Sequence, residues 1–338
     1  MSEWDVSGSH KQELPNYSQD DEITFSSEKI EESPPADVPT NVDAGKRWRF
    51  MLCNNFFNSD LKVFVSANSV EKYKSFKNSS SAQAVQYDRE LQSQGIGIPL
   101  IRADVHDFHA HKFLTIKRYY VDKEKIGSRG FDSKKDLHDF CIVRKHRHGS
   151  YSTYELKFSP DPNDISQDFT IVLFKHGVLP IADYVYRGSR YRWIYETRSY
   201  ESPYCYSNYL LSPGQHSMTD NWDKETNKLE KSLDPNNPLI GDYMSKAFSL
   251  KSRNTKKEYY SPMQLASLDE NKNYDPFSRF RQKAVFTMRD MNNTSDHPTV
   301  DHESIYSVNL DALTSLCIAL VFKRREDIKE EARKILEN

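Results

Sequence analysis

The chain has 338 residues, a formal net charge of −2 at neutral pH and a mean hydropathy of −0.80, with 37% of its residues hydrophobic. Its length suits one large domain or two medium ones, and the low hydrophobic fraction indicates that part of the chain stays outside any core. The four cysteines, at positions 53, 141, 205 and 317, form no CxxC pair, which argues against a disulfide framework and a structural zinc site.

Residues 1–45 form an acidic segment with eleven Asp or Glu and two Lys or Arg, so it carries −9 and residues 46–338 carry +7. The segment is rich in Ser and Pro and has no hydrophobic periodicity, which predicts a disordered tail. It begins without the basic and apolar residues of a secretory signal, so we expect a cytoplasmic protein. The basic remainder suits phosphate groups on a membrane surface or in nucleic acid, or its charge is spread over a solvated surface. A tail that folds back over a basic face would weaken binding there.

Residues 46–104 are interpreted as a segment that docks on the core, followed by a polar linker. Positions 46–66 contain Trp48, Phe50, Leu52 and Phe64 among other apolar residues, which indicates contact with a core. Residues 67–95 are polar and are interpreted as loop or weak helix.

From about residue 112 the sequence pattern becomes that of β-strands. Three strand-like runs between 169 and 197 are separated by Gly-containing turns, which predicts an antiparallel meander. The other assignments are strands at 112–121, 140–143, 151–158, 246–251, 282–288 and 304–308, a turn-rich insertion at 212–240 and a long polar loop at 252–280.

An apolar segment near the C-terminus, residues 310–322, is the strongest single signal in the sequence. Asn309 is a good helix N-cap, Asp311 suits the first turn, and every residue from Leu316 to Phe322 is apolar. A helix that is apolar on all sides must be surrounded by protein or lipid, and at about 13 residues it is too short to span a bilayer. We therefore predict a central helix enclosed by the domain, with an amphipathic helical extension at 326–338.

The order of many short strands followed by one apolar helix resembles the tubby-like C-terminal superfamily, which includes the LURP-one-related proteins and the phospholipid scramblases. The matching piece is Ser304–Val308 leading into Leu310–Phe322, and the resemblance covers residues 105–325. It implies a mainly β (α+β) fold, an antiparallel barrel of about 10–12 strands around a buried C-terminal helix. Two features depart from the pattern: the polar loops are long, and no tubby signature motif is present. The alternative is an unrelated β-rich domain, such as a sandwich, with a helix packed on one face.

Basic residues near the meander are the first candidate site. Arg190 and Arg192 share one face of the third strand, with Arg187 at the preceding turn, and guanidinium groups bind phosphate in a bidentate manner. The tubby-like resemblance implies a phosphoinositide or another anionic head group there. Outward arginines on an ordinary amphipathic strand are the simpler alternative. A second anion contact is predicted in the basic loop containing Arg144, Lys145 and Arg147, which is otherwise a solvated loop.

The histidine-rich segment 104–111 is the second candidate site. On a strand, Asp107, His109 and His111 would project to one side as a metal set, and on a helix His106 would pair with His109. No metalloenzyme pattern is matched, so a polar linker is the favoured interpretation and no cofactor is predicted. Ser-Pro pairs at Ser33 and Ser261 are candidates for proline-directed phosphorylation.

The sequence contains no GxxxxGK[ST], GxGxxG or GxSxG motif and no recognisable nucleic-acid-binding module. The leading hypothesis is therefore a non-enzymatic binding or regulatory protein, peripheral at a membrane, whose basic face binds an anionic phospholipid head group. The alternatives are a protein–protein adaptor without lipid binding and, least favoured, a metal-dependent enzyme using the 104–111 cluster.

Overall fold

The computed structural model describes residues 47–55, 58–105, 112–119, 130–196, 203–211, 215–229, 264–272, 280–289 and 304–337. All of them belong to one compact unit that spans Ala44–Asn338. The acidic segment 1–45, with Ser33, lies outside the described residues, as do residues 106–111 and Ser261.

Twelve strands form a closed barrel in which all neighbours are antiparallel. The barrel closes where β1 pairs with both β2 and β14, so that Met51 faces Phe64 on one side and Val285 on the other. The barrel strands are β1 (Arg47–Asn55), β2 (Asn58–Phe64), β3 (Ile101–Val105), β4 (Lys112–Tyr119), β5 (Leu137–Arg147), β6 (Tyr151–Phe158), β7 (Phe169–His176), β8 (Ile181–Tyr186), β9 (Ser189–Tyr195), β10 (Cys205–Leu210), β13 (Gln264–Glu270) and β14 (Phe280–Arg289).

The predicted barrel is confirmed, but two of the predicted boundaries need correction. Residues 46–104 do not form a docking segment and linker outside the barrel, because β1, β2 and most of β3 lie in this range and complete the closed sheet. The polar stretch 252–280 is not a loop throughout, since β13 pairs there with β10 and β14.

Between β2 and β3 the chain forms α1 (Ala67–Ser75) and α2 (Ala82–Ser93), where the sequence predicts a loop or weak helix. The Ser66 and Ser81 hydroxyls accept from the Ser69 and Ala84 amides and cap the two helices.

One helix, α3 (Leu310–Glu337), fills the barrel and continues beyond it. Asn309 caps it, because its side-chain oxygen accepts from the Ala312 amide at 2.8 Å. Nearly every side chain from Ala312 to Lys323 is buried, and the apolar ones join the inward-facing residues of all twelve barrel strands in one continuous core. The predicted central helix is therefore confirmed. Its predicted end at residue 322 is wrong, because the amphipathic extension is the second half of the same helix.

Two smaller elements differ from the sequence-based assignment. Ser304–Val308, expected to be the last strand, contains a 3₁₀ turn at Ile305–Ser307, and Ser304 forms an isolated bridge with Ile96. The insertion after β10 contains a 3₁₀ turn at Met218–Asn221 and a short hairpin of β11 (Trp222–Asp223) and β12 (Lys228–Leu229). Met218 and Leu229 pack against Phe174 and Ile194 in a second apolar cluster, so this insertion covers the outer face of β7–β9.

All four cysteines carry free thiols. Within the described part of the chain, no helix combines the length and the apolar character needed to cross a membrane.

Candidate functional site

The three arginines predicted to form a basic face are each bound to a carboxylate. Arg187 Nη1 lies 3.1 Å from Asp311 Oδ2, at the start of α3, and Arg190 Nη1 lies 2.8 Å from Asp220 Oδ1. Their positive charge is therefore largely offset within the protein, which weakens them as an anion site.

Arg192 is not on the surface. Its guanidinium makes two hydrogen bonds of 2.7 Å to Asp183, and the two side chains are 1% and 0% exposed. Asp183 also accepts from the Ser217 hydroxyl and the Met218 amide, so the pair fastens the insertion to the outside of the barrel. The expectation that Arg192 faces solvent with Arg190 is wrong, because the segment that covers this face comes from residues distant in sequence.

The predicted basic loop is in fact the end of β5, and its residues point to two sides. Arg144 is exposed and projects away from Lys145, as alternation along a strand requires. The Lys145 ammonium lies 5.6 Å from the centre of the Phe113 ring and 5.7 Å from that of Tyr154. Burial lowers the pKa of Lys145, and the nearby charges of Arg147 and Arg325 lower it further. The last of these belongs to α3, so β5 and the central helix meet here.

A cluster of cations gathers where α3 leaves the barrel. Lys175 is the next-to-last residue of β7. The helix α3 contributes Arg325 and Lys329, and β5 contributes Lys145 and Arg147. We call these five residues the cationic mouth. The pKa of Lys175 is lowered to about 8, first by burial and then by the charges of Arg325, Lys329 and Lys145, while Glu326 opposes the shift. Several like charges therefore lie close together in the mouth, and each makes the protonated form of its neighbours less favourable.

One carboxylate of α3 partly offsets this charge. Glu326 Oε1 accepts from the Tyr206 hydroxyl at 2.5 Å and from Lys329 Nζ at 2.7 Å. Lys175 donates to the backbone oxygen of His176 at 2.6 Å, a neutral partner. Arg325 Nη1 is buried and has no hydrogen-bond partner among the described residues. A buried guanidinium N–H left in this way costs free energy.

A cavity of about 170 Å³ opens beside these cations. Lys175, Arg325 and Lys329 form its charged side. Its other lining residues, mostly apolar or aromatic, are Val178, Leu179, Pro180, Ile181, Ala182, Trp193, Tyr195, Tyr206 and Phe322. A concave surface with apolar walls and a few convergent charges is the usual form of a small-ligand site.

The opposite flank of α3 differs in its charge balance. There Arg324 pairs with Glu331 at 3.0 Å, and Lys323 pairs with Asp327. Lys334 pairs with Glu330 at 2.7 Å. A second cavity lies on that flank, and three of its four lining cations, Lys323, Arg324 and Lys334, therefore already have carboxylate partners. This contrast singles out the cationic mouth as the candidate site for an anion.

Of these five residues, the sequence pattern indicated Lys145 and Arg147 as anion contacts, but not Lys175, Arg325 or Lys329. A partial signal was present, because Phe322, Arg325 and Lys329 fall at helical spacing on one face, directly after the apolar segment. The predicted metal residues His106, Asp107, His109 and His111 lie outside the described residues. Within the part that the structure describes, no group of His, Cys, Asp and Glu is arranged to hold a metal ion.

The fold and the site define a closed twelve-strand barrel with a helix through its centre and a cationic pocket at the helix exit, which is compatible with a tubby-like barrel architecture. The chain belongs to the DIA1 family, whose sequence model matches residues 45–331 and so spans every barrel strand and most of α3. No curated protein and no solved structure matches the chain.

Proposed function

We propose that this protein is a binding protein, not an enzyme, and that the cationic mouth binds the phosphate group of an anionic ligand. The proposal rests on the environment of the Arg325 guanidinium. Its buried Nη1 has no partner in the described part of the chain, and it lies among Lys145, Lys175 and Lys329 beside an open cavity.

The chemistry of these groups favours phosphate. Guanidinium offers paired N–H donors that match two phosphate oxygens, and the ammonium groups add point charges. A bound dianion would offset the mutual repulsion that lowers the pKa of Lys175. Burial strengthens each charge interaction, because less water screens it. The predicted face of Arg187, Arg190 and Arg192 supports this function less well, since each arginine has a carboxylate partner.

A phospholipid head group and a soluble phosphate ester share this chemistry. The test combines titration of the full-length chain with inositol trisphosphate and co-sedimentation with phosphatidylcholine liposomes, with and without a phosphoinositide. Binding of both the soluble ester and the phosphoinositide liposomes indicates a peripheral membrane protein. Binding of the soluble ester alone indicates a receptor for a soluble ligand.

Site-specific variants decide whether the mouth is responsible. Lys175→Gln and Arg325→Gln should each weaken binding by about tenfold to hundredfold, as expected for the loss of one charge-assisted hydrogen bond. Arg333→Gln is the matched control, because it removes an exposed cation from the same helix outside the mouth. Equal effects of all three variants would assign binding to general surface charge. Absence of phosphate binding in the wild-type chain would reject the proposal and favour the protein-binding adaptor.

A further inference from the structure

The cavity at the cationic mouth has more apolar surface than recognition of phosphate alone requires. One side carries Lys175, Arg325 and Lys329, and the other is built from the β7–β8 turn and an aromatic floor. A site for a bare phosphate needs donors and charge but no apolar wall. The apolar side of the cavity is therefore not explained by phosphate binding alone.

The aromatic floor links the barrel wall to α3. Phe322 stacks on Tyr206 with ring centres 4.7 Å apart and lies 5.2 Å from the Trp193 ring. Tyr195 lies 5.0 Å from Tyr206 and extends the floor towards Lys329, whose ammonium sits 5.1 Å from the centre of the Tyr195 ring. The Phe322 and Tyr206 rings are stacked, and the Trp193 and Tyr195 rings are tilted against them, so together they give the cavity an aromatic floor suited to an apolar group.

The β7–β8 turn presents Val178 at the edge of this floor. The side chain is 82% exposed although it lines the cavity. The turn is held in place because His176 Nδ1 accepts from the amides of Val178 and Leu179 at 3.0 and 2.9 Å. Gly177 also approaches Ser150 so closely that an added Cβ would lie 2.6 Å from the Ser150 oxygen. Val178 is thus fixed in an exposed position at the rim.

We infer that the ligand is an amphiphilic organic phosphate, with its anionic group at Arg325 and Lys175 and an aromatic or other apolar body on Val178, Tyr195 and Phe322. This inference rests on the proposed function and adds the class of ligand to it. Lipids and soluble aromatic phosphates share this chemistry, and the liposome arm described above separates them.

The experiment compares three probes by titration calorimetry with the full-length chain: methyl phosphate, 1-naphthyl phosphate and 1-naphthol. The expected result is that 1-naphthyl phosphate binds at least about tenfold more tightly than methyl phosphate, because apolar area leaves water. It should also bind at least about tenfold more tightly than 1-naphthol, which lacks the anion. Equal affinity for the two phosphates overturns the inference and leaves the proposed function standing. Absence of binding for both phosphates overturns the inference and the proposed function together. If 1-naphthol binds as tightly as 1-naphthyl phosphate, the cations contribute nothing to the affinity and the inference is overturned.

A matched pair of variants locates the apolar contact. Val178→Ser should reduce the affinity for 1-naphthyl phosphate several-fold and leave that for methyl phosphate unchanged. Ile165→Ser is the control, since Ile165 is 83% exposed in the β6–β7 connection and lines no part of this cavity. An equal loss in both variants, or a loss for both phosphates in Val178→Ser, contradicts the assignment.

Discussion

Tyr206 on β10 donates a 2.5 Å hydrogen bond to Glu326 on α3, so a carboxylate among the clustered cations is held by the barrel wall. Glu326 also accepts from Lys329 and raises the pKa of Lys175. It therefore limits the positive charge of the cationic mouth while leaving an excess for a ligand.

Removing this carboxylate should strengthen anion binding. Glu326→Gln keeps an oxygen that accepts from Tyr206 but loses the negative charge, so the affinity for inositol trisphosphate should rise several-fold at pH 6.5. The pKa of Lys175 should fall further below about 8, because Glu326 no longer opposes the shift. NMR titration of the lysine ammonium groups measures the pKa. Weaker anion binding in this variant would show that Glu326 acts with the ligand and not against it.

The pH dependence of binding should follow Lys175. Its pKa of about 8 reflects burial together with Arg325, Lys329 and Lys145, against Glu326. The protonated amine binds anions, so affinity should fall as pH rises from 7 to 9. The stability of the free protein should change in the opposite direction. The unfolded chain binds more protons between about pH 8 and 10.5, the ordinary pKa of a lysine, so the free energy of unfolding rises across that window.

The variant that tests this assignment is Lys175→Arg, which keeps the charge across the whole range. It should bind anions with nearly the same affinity at pH 7 and pH 9, as measured by calorimetry. A pH profile unchanged from wild type would assign the titration to another group.

The two neighbouring arginines of β9 should differ in their contribution to stability. Arg192→Leu leaves Asp183 buried without its partner, a change that typically costs about 3–5 kcal/mol in the free energy of unfolding. Arg190→Leu breaks an ion pair whose side chains are 23% and 32% exposed, so its cost should stay below about 1 kcal/mol. Urea denaturation followed by tryptophan fluorescence compares the two. Equal losses in the two variants would contradict the burial of the Arg192–Asp183 pair.

The central position of α3 can be tested with two variants that introduce the same charge, one in the core and one on the surface. Leu320 is 1% exposed in the core and Leu336 is 86% exposed on the same helix. Leu320→Asp should prevent stable folding, because an unpaired carboxylate in the core costs several kcal/mol. Leu336→Asp should leave the melting temperature nearly unchanged. A soluble Leu320→Asp protein with the wild-type melting temperature would refute the buried helix.

The sequence was most informative where one element determined the answer. Leu316–Phe322 leaves no polar face, so burial of this helix followed from its residues alone. The strands β1 to β3 were missed because two polar helices interrupt them, and strand pairing is a property of distant residues. The same limit applies to the site, since Lys145, Lys175 and Arg325 come from three separate elements. The prediction that Arg192 is exposed was wrong for a related reason. Ser217 and Met218, which cover its ion pair with Asp183, lie after β10 and outside the meander that contains Arg192.

The topology of the barrel also imposes an order on folding. The first strand, β1, must wait for β14 before the sheet can close, and α3, which fills the interior, follows β14 in the chain. During synthesis all twelve strands therefore emerge before α3, and the apolar residues that face the barrel interior lack their contacts with the helix until it follows. Such long-range pairing folds slowly and leaves aggregation-prone surface in the growing chain. The apolar half of α3, which emerges after every strand of the barrel, thus completes the core.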